Sequence, residues 1–452
     1  MQLREYQRED VDRMFVQNCI GNFSEQRTGK TPTTCASLAQ KGVKHTLIVC
    51  PNSLVYVWKD AWETWTGWPA QVIEETSFDC SIVPEDCALV VNFEKIRGTK
   101  KQHDITDMLL EWKPAAIVVD EAHRMKDRNS LTAEQLCRFI KVPIRIALTG
   151  TPAPNQPWEI WTILHWLFPD RYKSYWRFIN DHFLQKTVYL RSRSISQPTA
   201  FKPGMATILQ QNLNTLCIQH KRREIMQWLP EEQSPTVVKL PPSPEQVVAI
   251  EHLMSYFEYK HIITKSVLDN LVRVRQVCAS PALLDLSKKI SPKIQWLLDY
   301  LKDYPEKHVL VFSNSKKFLY LIQSHIKEPL GFICGDVPPL ERVKLIEAYQ
   351  KSKFRIMLCQ TQACKEGITL DNADVSIFMD LYPPAADYMQ AKDRMVATAP
   401  ERVKPKEIIH VILQETYDAD LFSLVQHNVN ETAVLNDYKN FIKERRNRNG
   451  EQ

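Results

Sequence analysis

No C-x-x-C pair occurs among the 11 cysteines of this 452-residue chain, and the nearest two, Cys359 and Cys364, are too widely spaced for a zinc knuckle. That leaves scattered, mostly buried thiols, as expected in a reducing compartment. No apolar run approaches the ~18 residues of a membrane helix, so no membrane partner is expected. The opening stretch, MQLREYQRED, is charged at once and does not read as a secretory signal. Neither sign of charge dominates: 58 Lys and Arg against 53 Asp and Glu give a net charge of +5. This mildly basic balance admits a nucleic-acid partner without requiring one. The remaining composition, 44% hydrophobic and 25% charged, is that of a well-packed soluble chain. Its length predicts roughly two to four domains.

What is present is a rhythm. HTLIVCP (45–51), CALVVNFE (87–94), AAIVVDE (115–121) and IRIALTGT (144–151) are short apolar runs, each ending in a polar or turn residue. Helix-like stretches separate them. Continuous apolar strands alternating with helices predict βαβ units and a parallel sheet buried on both faces. Ligands of such sheets sit at the carboxyl ends of the strands, which makes those terminal polar residues the candidates for a site. A second set comes later in the chain: HVLVFSN (308–314), LGFICGD (330–336), RIMLCQT (355–361), VSIFMD (375–380) and EIIHVIL (407–413). The stretch between the sets reads mainly as helix, and LRSRSISQPTAFKPG (190–204) as a flexible loop. The expected fold class is α/β, with two parallel-sheet lobes in tandem and helical insertions between them. The expected division is 1–154 (first lobe, ATP-binding), 155–290 (helical insertions and linker), 291–425 (second lobe) and 426–452 (C-terminal helix and basic tail).

The first set carries chemistry. SEQRTGKT (24–31) matches the end of the phosphate-loop pattern G-x-x-x-x-G-K-[ST] at Gly29, Lys30 and Thr31, but Ser24 stands where the first glycine belongs. Pro32 suits the first turn of a helix that begins there. Downstream, the apolar run VVDEAH ends in Asp120 and Glu121. A strand-terminal Asp-Glu after a Gly-Lys-Thr is the second half of a nucleoside-triphosphate site. The aspartate holds Mg²⁺ and the glutamate orients and deprotonates the attacking water. Together the two stretches read as a phosphate cradle that has lost its first glycine.

The whole set of motifs resembles superfamily 2 helicases, specifically the Swi/Snf-like DNA translocases with their two RecA-like lobes. LREYQ (3–7) is similar to the adenine-reading Q motif. SEQRTGKT stands where the family has D-E-M-G-L-G-K-T, so Arg27 replaces a glycine there too. LIVCPNSLVYVWKDAW, VVDEAHRMKDRNS, ALTGTPAPN, KRREIMQWLP, LVRVRQVCASP, VLVFSN and LCQTQACKEGITLDNADVSIFMD continue the likeness over about residues 3–415. The resemblance implies ATP and Mg²⁺ as cofactors. It implies that Gln7 reads adenine, that Arg27, Thr28, Gly29 and Lys30 line the phosphates, and that Thr31 and Asp120 hold the metal. It makes Glu121 the base, with His123, Gly150 and Thr151 coupling nucleotide to DNA. From the second lobe it brings Gly367 and Asp371 to the site and Arg394 to the γ-phosphate. The family's second arginine is Ala397 here; Arg402 is either its replacement or a surface residue.

DNA contacts implied by the same resemblance are Pro51, Asn52, Ser53, Lys95, Ser313, Asn314 and Thr361, small polar groups suited to sequence-blind phosphate binding. Arg191 and Arg193 either grip a duplex or belong to a solvated loop. Trp58, Trp62 and Trp65 fall at helical spacing and read as helix packing in preference to base stacking. The expected activity is ATP-driven movement on duplex, forked or branched DNA. By analogy with compact bacteriophage members, this extends to branch migration. Two alternatives are a weakly hydrolysing nucleotide-gated DNA binder and the motor subunit of a larger remodelling or restriction assembly. The expected setting is the bacterial or phage-infected cytoplasm, with a nuclear setting not excluded. The expected state is a monomer that meets replication or recombination proteins.

Overall fold

A parallel strand covered on both faces needs an apolar residue at every position, and runs such as HTLIVCP and HVLVFSN meet that demand. The computed structural model describes residues 2–75, 79, 83–84, 86–98, 105–154, 156–190, 193–228, 234–364, 369–381, 388, 391–396 and 403–426. It divides into two units, Met1–Gln227 and Trp228–Gln452.

In the first unit, β1 (Cys19–Asn22), β2 (Thr46–Cys50), β3 (Ala70–Val72), β4 (Ala88–Asn92), β5 (Ala116–Asp120) and β6 (Ile144–Leu148) share one sheet. A hairpin of β7 (Phe183–Leu190) and β8 (Arg193–Phe201) stands apart as its own two-stranded sheet. The chain then returns as β9 (Cys217–Ile218) to give the order β3-β4-β2-β5-β6-β1-β9, every pair parallel. Leu47, Val49, Ile117 and Val119 face one core, and Ile48, Cys50, Val118 and Ala116 face the other. Three helices of this unit bear on the site: α1 (Glu5–Val16), α2 (Lys30–Lys41) and α3 (Val55–Thr66).

The second unit opens on β10 (Thr236–Leu240) and a small hairpin of β11 (Glu258–Tyr259) and β12 (Ile262–Ile263). It continues with β13 (Val309–Ser313), β14 (Leu330–Ile333), β15 (Ile356–Gln360), β16 (Val375–Phe378) and β17 (Glu407–Leu413). Its sheet runs β10-β17-β16-β13-β15-β14, again parallel throughout. Two tandem parallel-sheet lobes are therefore what the strand runs foretold.

Between the two sets of runs the chain is less helical than expected. Helices occupy 161–167, 175–182, 205–216, 244–256 and 267–279, but β9 completes the first sheet and β10 edges the second. The stretch read as a loop at 190–204 is largely strand β8, paired to β7 from Phe183↔Phe201 to Leu190↔Arg193. Residues 427–452, where a helix and tail are expected, lie outside the described residues. No helix among the described residues is long and apolar enough to cross a membrane.

A buried ion pair locks the second unit at the carboxyl ends of its strands. Lys293 Nζ lies 2.7 Å from Asp418 Oδ2 and donates to the carbonyl of Met379 at 2.7 Å, while Asp418 also accepts from Leu413 N at 2.8 Å. Both side chains are almost wholly enclosed. Removing one partner strands the other charge in low dielectric, at about 3–5 kcal/mol. Asp418→Ala is therefore expected to lower the unfolding free energy of the second unit by about that much, read from urea denaturation. A loss below about 1 kcal/mol would show that water reaches Lys293.

Candidate active site

β1 leads straight into the cradle. Gly29 caps α2 with φ +79°, a left-handed conformation that favours glycine. A Cβ at Gly29 would stand 2.0 Å from Gln7 Nε2, so the position excludes a side chain twice over. Arg27 adopts φ +65° without being glycine, and Glu121 does the same at φ +50°. Non-glycine residues persist in such conformations when surrounding contacts over-determine them, and they cluster at functional sites. The N-terminus of α2, a twelve-residue helix, places its positive dipole end at the cradle.

Lys30 folds back on the loop, donating to the carbonyls of Ser24 at 2.9 Å and Glu25 at 3.0 Å. From α1, the Tyr6 hydroxyl and Gln7 Nε2 both donate to the Thr28 carbonyl, at 2.9 and 3.3 Å. Gln7 Oε1 accepts from Arg4 N at 2.9 Å. A base read by Gln7 has to use the amide's second hydrogen and second lone pair, because the first of each is already engaged.

Opposite the cradle, Asp120 ends β5 with one carboxylate oxygen on Trp58 Nε1 at 2.8 Å and the other on Glu121 N at 2.9 Å. Burial first, and the neighbouring Glu121 second, push its carboxyl up to about 7; the Trp58 N–H, Lys30 and the Glu121 N–H act the other way. His123 Nδ1 lies 3.1 Å from Glu121 Oε2 and 3.1 Å from Thr149 Oγ1, which in turn accepts from Thr151 N at 3.1 Å. Gly150 closes the circle: a Cβ there would lie 3.3 Å from Gln26 of the cradle. The first unit thus brings Gln7, Thr28, Gly29, Lys30, Thr31, Asp120, Glu121, His123, Gly150 and Thr151 to one end of one sheet.

Among the described residues, no group of three or more His, Cys, Asp or Glu could hold a metal alone. The donors on offer are the Asp120 carboxylate and the Thr31 hydroxyl. That is the sparse hard-oxygen set Mg²⁺ accepts when a substrate's phosphates complete its shell, so the residues fit the ion.

Beside this lies a polar patch. Asn92, ending β4, donates to Asn52 Oδ1 at 2.7 Å and accepts from Lys95 N at 2.9 Å, joining the segments of Asn52 and Ser53 and of Lys95 into one surface, while Pro51, expected there too, is buried. In the second unit, Asp380 accepts from Ser313 Oγ and, at 2.8 Å, from Asn314 N. Ser313 and Thr361 are buried, so their side chains face inward and Asn314 is the more open of the three. Asp371 is buried and accepts from Gln350 Nε2 at 3.0 Å, and Leu370 N donates to the carbonyl of the buried Arg394 at 3.0 Å. Arg193 sits on β8. Arg191, Gly367, Ala397 and Arg402 lie outside the described residues.

Trp58 is the functional residue that spacing alone hid. It packs as expected, 1% exposed, and its ring nitrogen also orients the acid. Asn92 was within reach of the rule that polar residues ending apolar runs are site candidates.

A loop leading into a glycine-capped helix and a strand-terminal acid pair at one end of one parallel sheet, with a second parallel sheet later in the chain, is how nucleotide-driven two-lobed motors are built. Family models narrow this. A model described as SNF2-related domain matches residues 20–283, and one described as helicase conserved C-terminal domain matches 292–397. The chain belongs to the SNF2-related family and carries that family's ATP-hydrolysing core. It is 25% identical over 413 residues to mouse "DNA annealing helicase and endonuclease ZRANB3", covering 87% of this chain and 37% of the mouse protein. It is 24% identical over 480 residues to rat "Chromodomain-helicase-DNA-binding protein 8", covering 93% of this chain and 18% of the rat protein. The chain therefore spans well under half the length of either relative. The solved SWI2/SNF2 ATPase core of Sulfolobus solfataricus with dsDNA is 19% identical, covers 94% of this chain and 91% of its own, and has a TM-score of 0.43.

Trp58→Phe deletes the indole N–H and also trims the buried ring, so the first unit should lose at least about 1–3 kcal/mol in urea denaturation, the range for leaving a buried acceptor without its donor, with the cavity adding to it. An unchanged midpoint would show that another donor takes its place. A second expectation concerns His220, whose Nε2 lies 2.8 and 3.0 Å from the Asp10 carboxylate oxygens. That hydrogen bond holds the imidazole above its ordinary range, against burial. With the folded value raised, the stabilisation is complete below the unfolded value of ~6.5 and fades as pH climbs through the folded value. The midpoint gap between parent and His220→Gln should be wider at about pH 6 than at about pH 9, and a gap that widens upward would contradict a protonated pair.

Proposed function

We propose that this chain is a DNA-dependent ATPase that tracks along duplex or branched DNA, with Mg²⁺ as its ion. The observation that carries the reading is the placing of Lys30 and Asp120 at one end of one sheet, near enough for the Lys30 charge to act on the Asp120 carboxyl. Lys30, at present on two neutral carbonyls, exchanges them for the charged oxygens of a triphosphate, a stronger acceptor. The backbone N–H groups around Gly29, with Thr28 and Arg27 beside them, cradle the same phosphates. Thr31 and Asp120 would hold the ion, which neutralises charge on the phosphates. Glu121, held by His123, takes the proton of the attacking water. Gln7 reads the base. His123 and Thr151, both bonded to Thr149, carry the state of the acid to the loop beside the cradle. Asp371 and Arg394 of the second unit, with Gly367, complete the site on lobe closure.

DNA is tracked by Pro51, Asn52, Ser53, Lys95 and Asn314, with Ser313 and Thr361 contributing through backbone N–H groups, since their side chains are buried. Arg193, at the start of β8, and Arg191, which lies outside the described residues, add a phosphate grip. Forks and junctions are the preferred DNA, and branch migration by a compact phage-type monomer is the narrower form of this reading. Its support is the mouse relative's description as a DNA annealing helicase. Replication or recombination proteins in a bacterial or phage-infected cytoplasm are its proposed company.

The test is steady-state ATP hydrolysis with no DNA, single strands, duplex, forks and four-way junctions. Stimulation should be strongest on forks and junctions. Lys30→Ala should abolish turnover, and Glu121→Gln should keep ATP binding while losing ~10²–10⁴-fold in rate, the range for a general base. Tight DNA binding with turnover that no DNA raises would instead support a nucleotide-gated binder, in keeping with the non-glycine Arg27 at φ +65°.

A further inference from the structure

The outer side of the cradle is stitched to the segment by which the chain leaves the first unit. β1 and β9 pair over only two residues, Gly21↔Cys217 and Asn22↔Ile218, yet the bonding runs on beyond both strands. Phe23 N donates to the Ile218 carbonyl at 2.8 Å and Glu25 N to the His220 carbonyl at 3.0 Å. His220 N donates to Ser24 Oγ at 3.0 Å, and Arg222 N to Glu25 Oε2 at 2.9 Å. Six residues after Arg222 the chain enters the second unit.

One peptide plane joins the two sides. The carbonyl of Ser24 accepts from Lys30 Nζ, and the N–H of Glu25, in the same plane, donates to His220. A peptide unit turns as a rigid body, because its C–N bond resists rotation. When Lys30 leaves Ser24 for a phosphate, that plane loses a cationic partner on one edge and relaxes. The opposite edge holds the connector. Glu25 is doubly placed, since its own carbonyl is the other acceptor Lys30 gives up, while its carboxylate holds Arg222 N.

We propose that Ser24, Glu25 and His220 transmit phosphate occupancy at Lys30 to the connector at 218–226, as positioning residues that link nucleotide state to the chain between the lobes. The proposal rests on phosphate binding at Lys30, itself part of the proposed function. It also gives Ser24 a task that the family's usual pattern does not fill with a hydroxyl.

Hydrogen exchange of the full chain, read by mass spectrometry with and without MgADP and a slowly hydrolysed ATP analogue, tests it. In the parent, nucleotide should change exchange at 24–31 and, in step, at 218–226 by about threefold or more. In Ser24→Ala with Arg222→Pro, two connector bonds go while proline suits the first turn of the short helix at 222–225. There the response at 24–31 should remain and that at 218–226 should fall clearly below the parent's, the remainder being carried by the Glu25 N–H to His220 bond that the double variant keeps. Glu25→Gln, which keeps an acceptor for Arg222 N, should respond at both segments as the parent does. A parent that responds at 24–31 but not at 218–226 overturns the proposal without any variant, and so does a double variant whose connector responds as fully as the parent's. If nucleotide leaves 24–31 unchanged in the parent, phosphate binding at Lys30 fails, and this proposal with it.

Discussion

The hydrogen bond from Trp58 to Asp120 is the constraint around which the first unit is arranged. Two magnitudes divide the work. Burying an indole removes roughly 150–250 Å² from water, ~4–6 kcal/mol, whereas a hydrogen bond to a charged group contributes ~1.5–3 kcal/mol. Packing therefore decides that α3 lies on the sheet, and the hydrogen bond decides how it is turned there. Because α3 continues directly from the loop at 51–54, fixing its turn also fixes Asn52, and through Asn92 it fixes Lys95. The acid pair and the polar patch beside it are thus parts of one rigid body. A change at one is felt at the other without any moving part between them.

Strands buried on both faces were the legible part of the fold. Leu47 to Cys50 and Val309 to Phe312 alternate between two cores, so neither face offers a polar position to interrupt the run. The strands that escaped lack this property. β3 and β10 are edge strands and partly exposed, and β9 has only two residues. Among the described residues the β7–β8 ribbon pairs with no other strand, and at 184–187 and 196–200 it is largely exposed, so no apolar alternation marks it there. Its Pro198, opposite Gln185, reads as a loop residue but is tolerated where no third strand needs its missing N–H.

The candidate site is legible where its residues are contiguous and opaque where it is built from distant pairs. Gly29, Lys30, Thr31, Asp120 and Glu121 announce themselves by type and order. Trp58 with Asp120, Asp10 with His220, and Glu25 with Arg222 meet across 62, 210 and 197 positions, and no local pattern marks such a meeting. Resemblance named Gln7 but could not say that its amide is already tied to Arg4 and Thr28. It named Ser313 but not Asp380, the carboxylate that turns the hydroxyl inward.

The missing glycine has the same explanation. A glycine-rich phosphate loop keeps its shape because little else is strained by it. Here the loop keeps its shape because its surroundings leave no other. Thr28 is held through its carbonyl by Tyr6 and Gln7, and its hydroxyl donates to the Glu25 carbonyl at 2.9 Å. Ser24 is held by His220 through an oxygen that glycine lacks, and Glu25 is held at both its N–H and its carboxylate. A left-handed arginine costs of order 1–3 kcal/mol, and each of these bonds contributes ~0.5–1.5 kcal/mol. Three or four of them suffice to hold Arg27 at φ +65°. The loop's geometry has moved from the backbone freedom of glycine to a lattice of side chains. That lattice ends on the segment that leads out of the unit, so the bonds that replace the glycine also tie the nucleotide cradle to the rest of the chain.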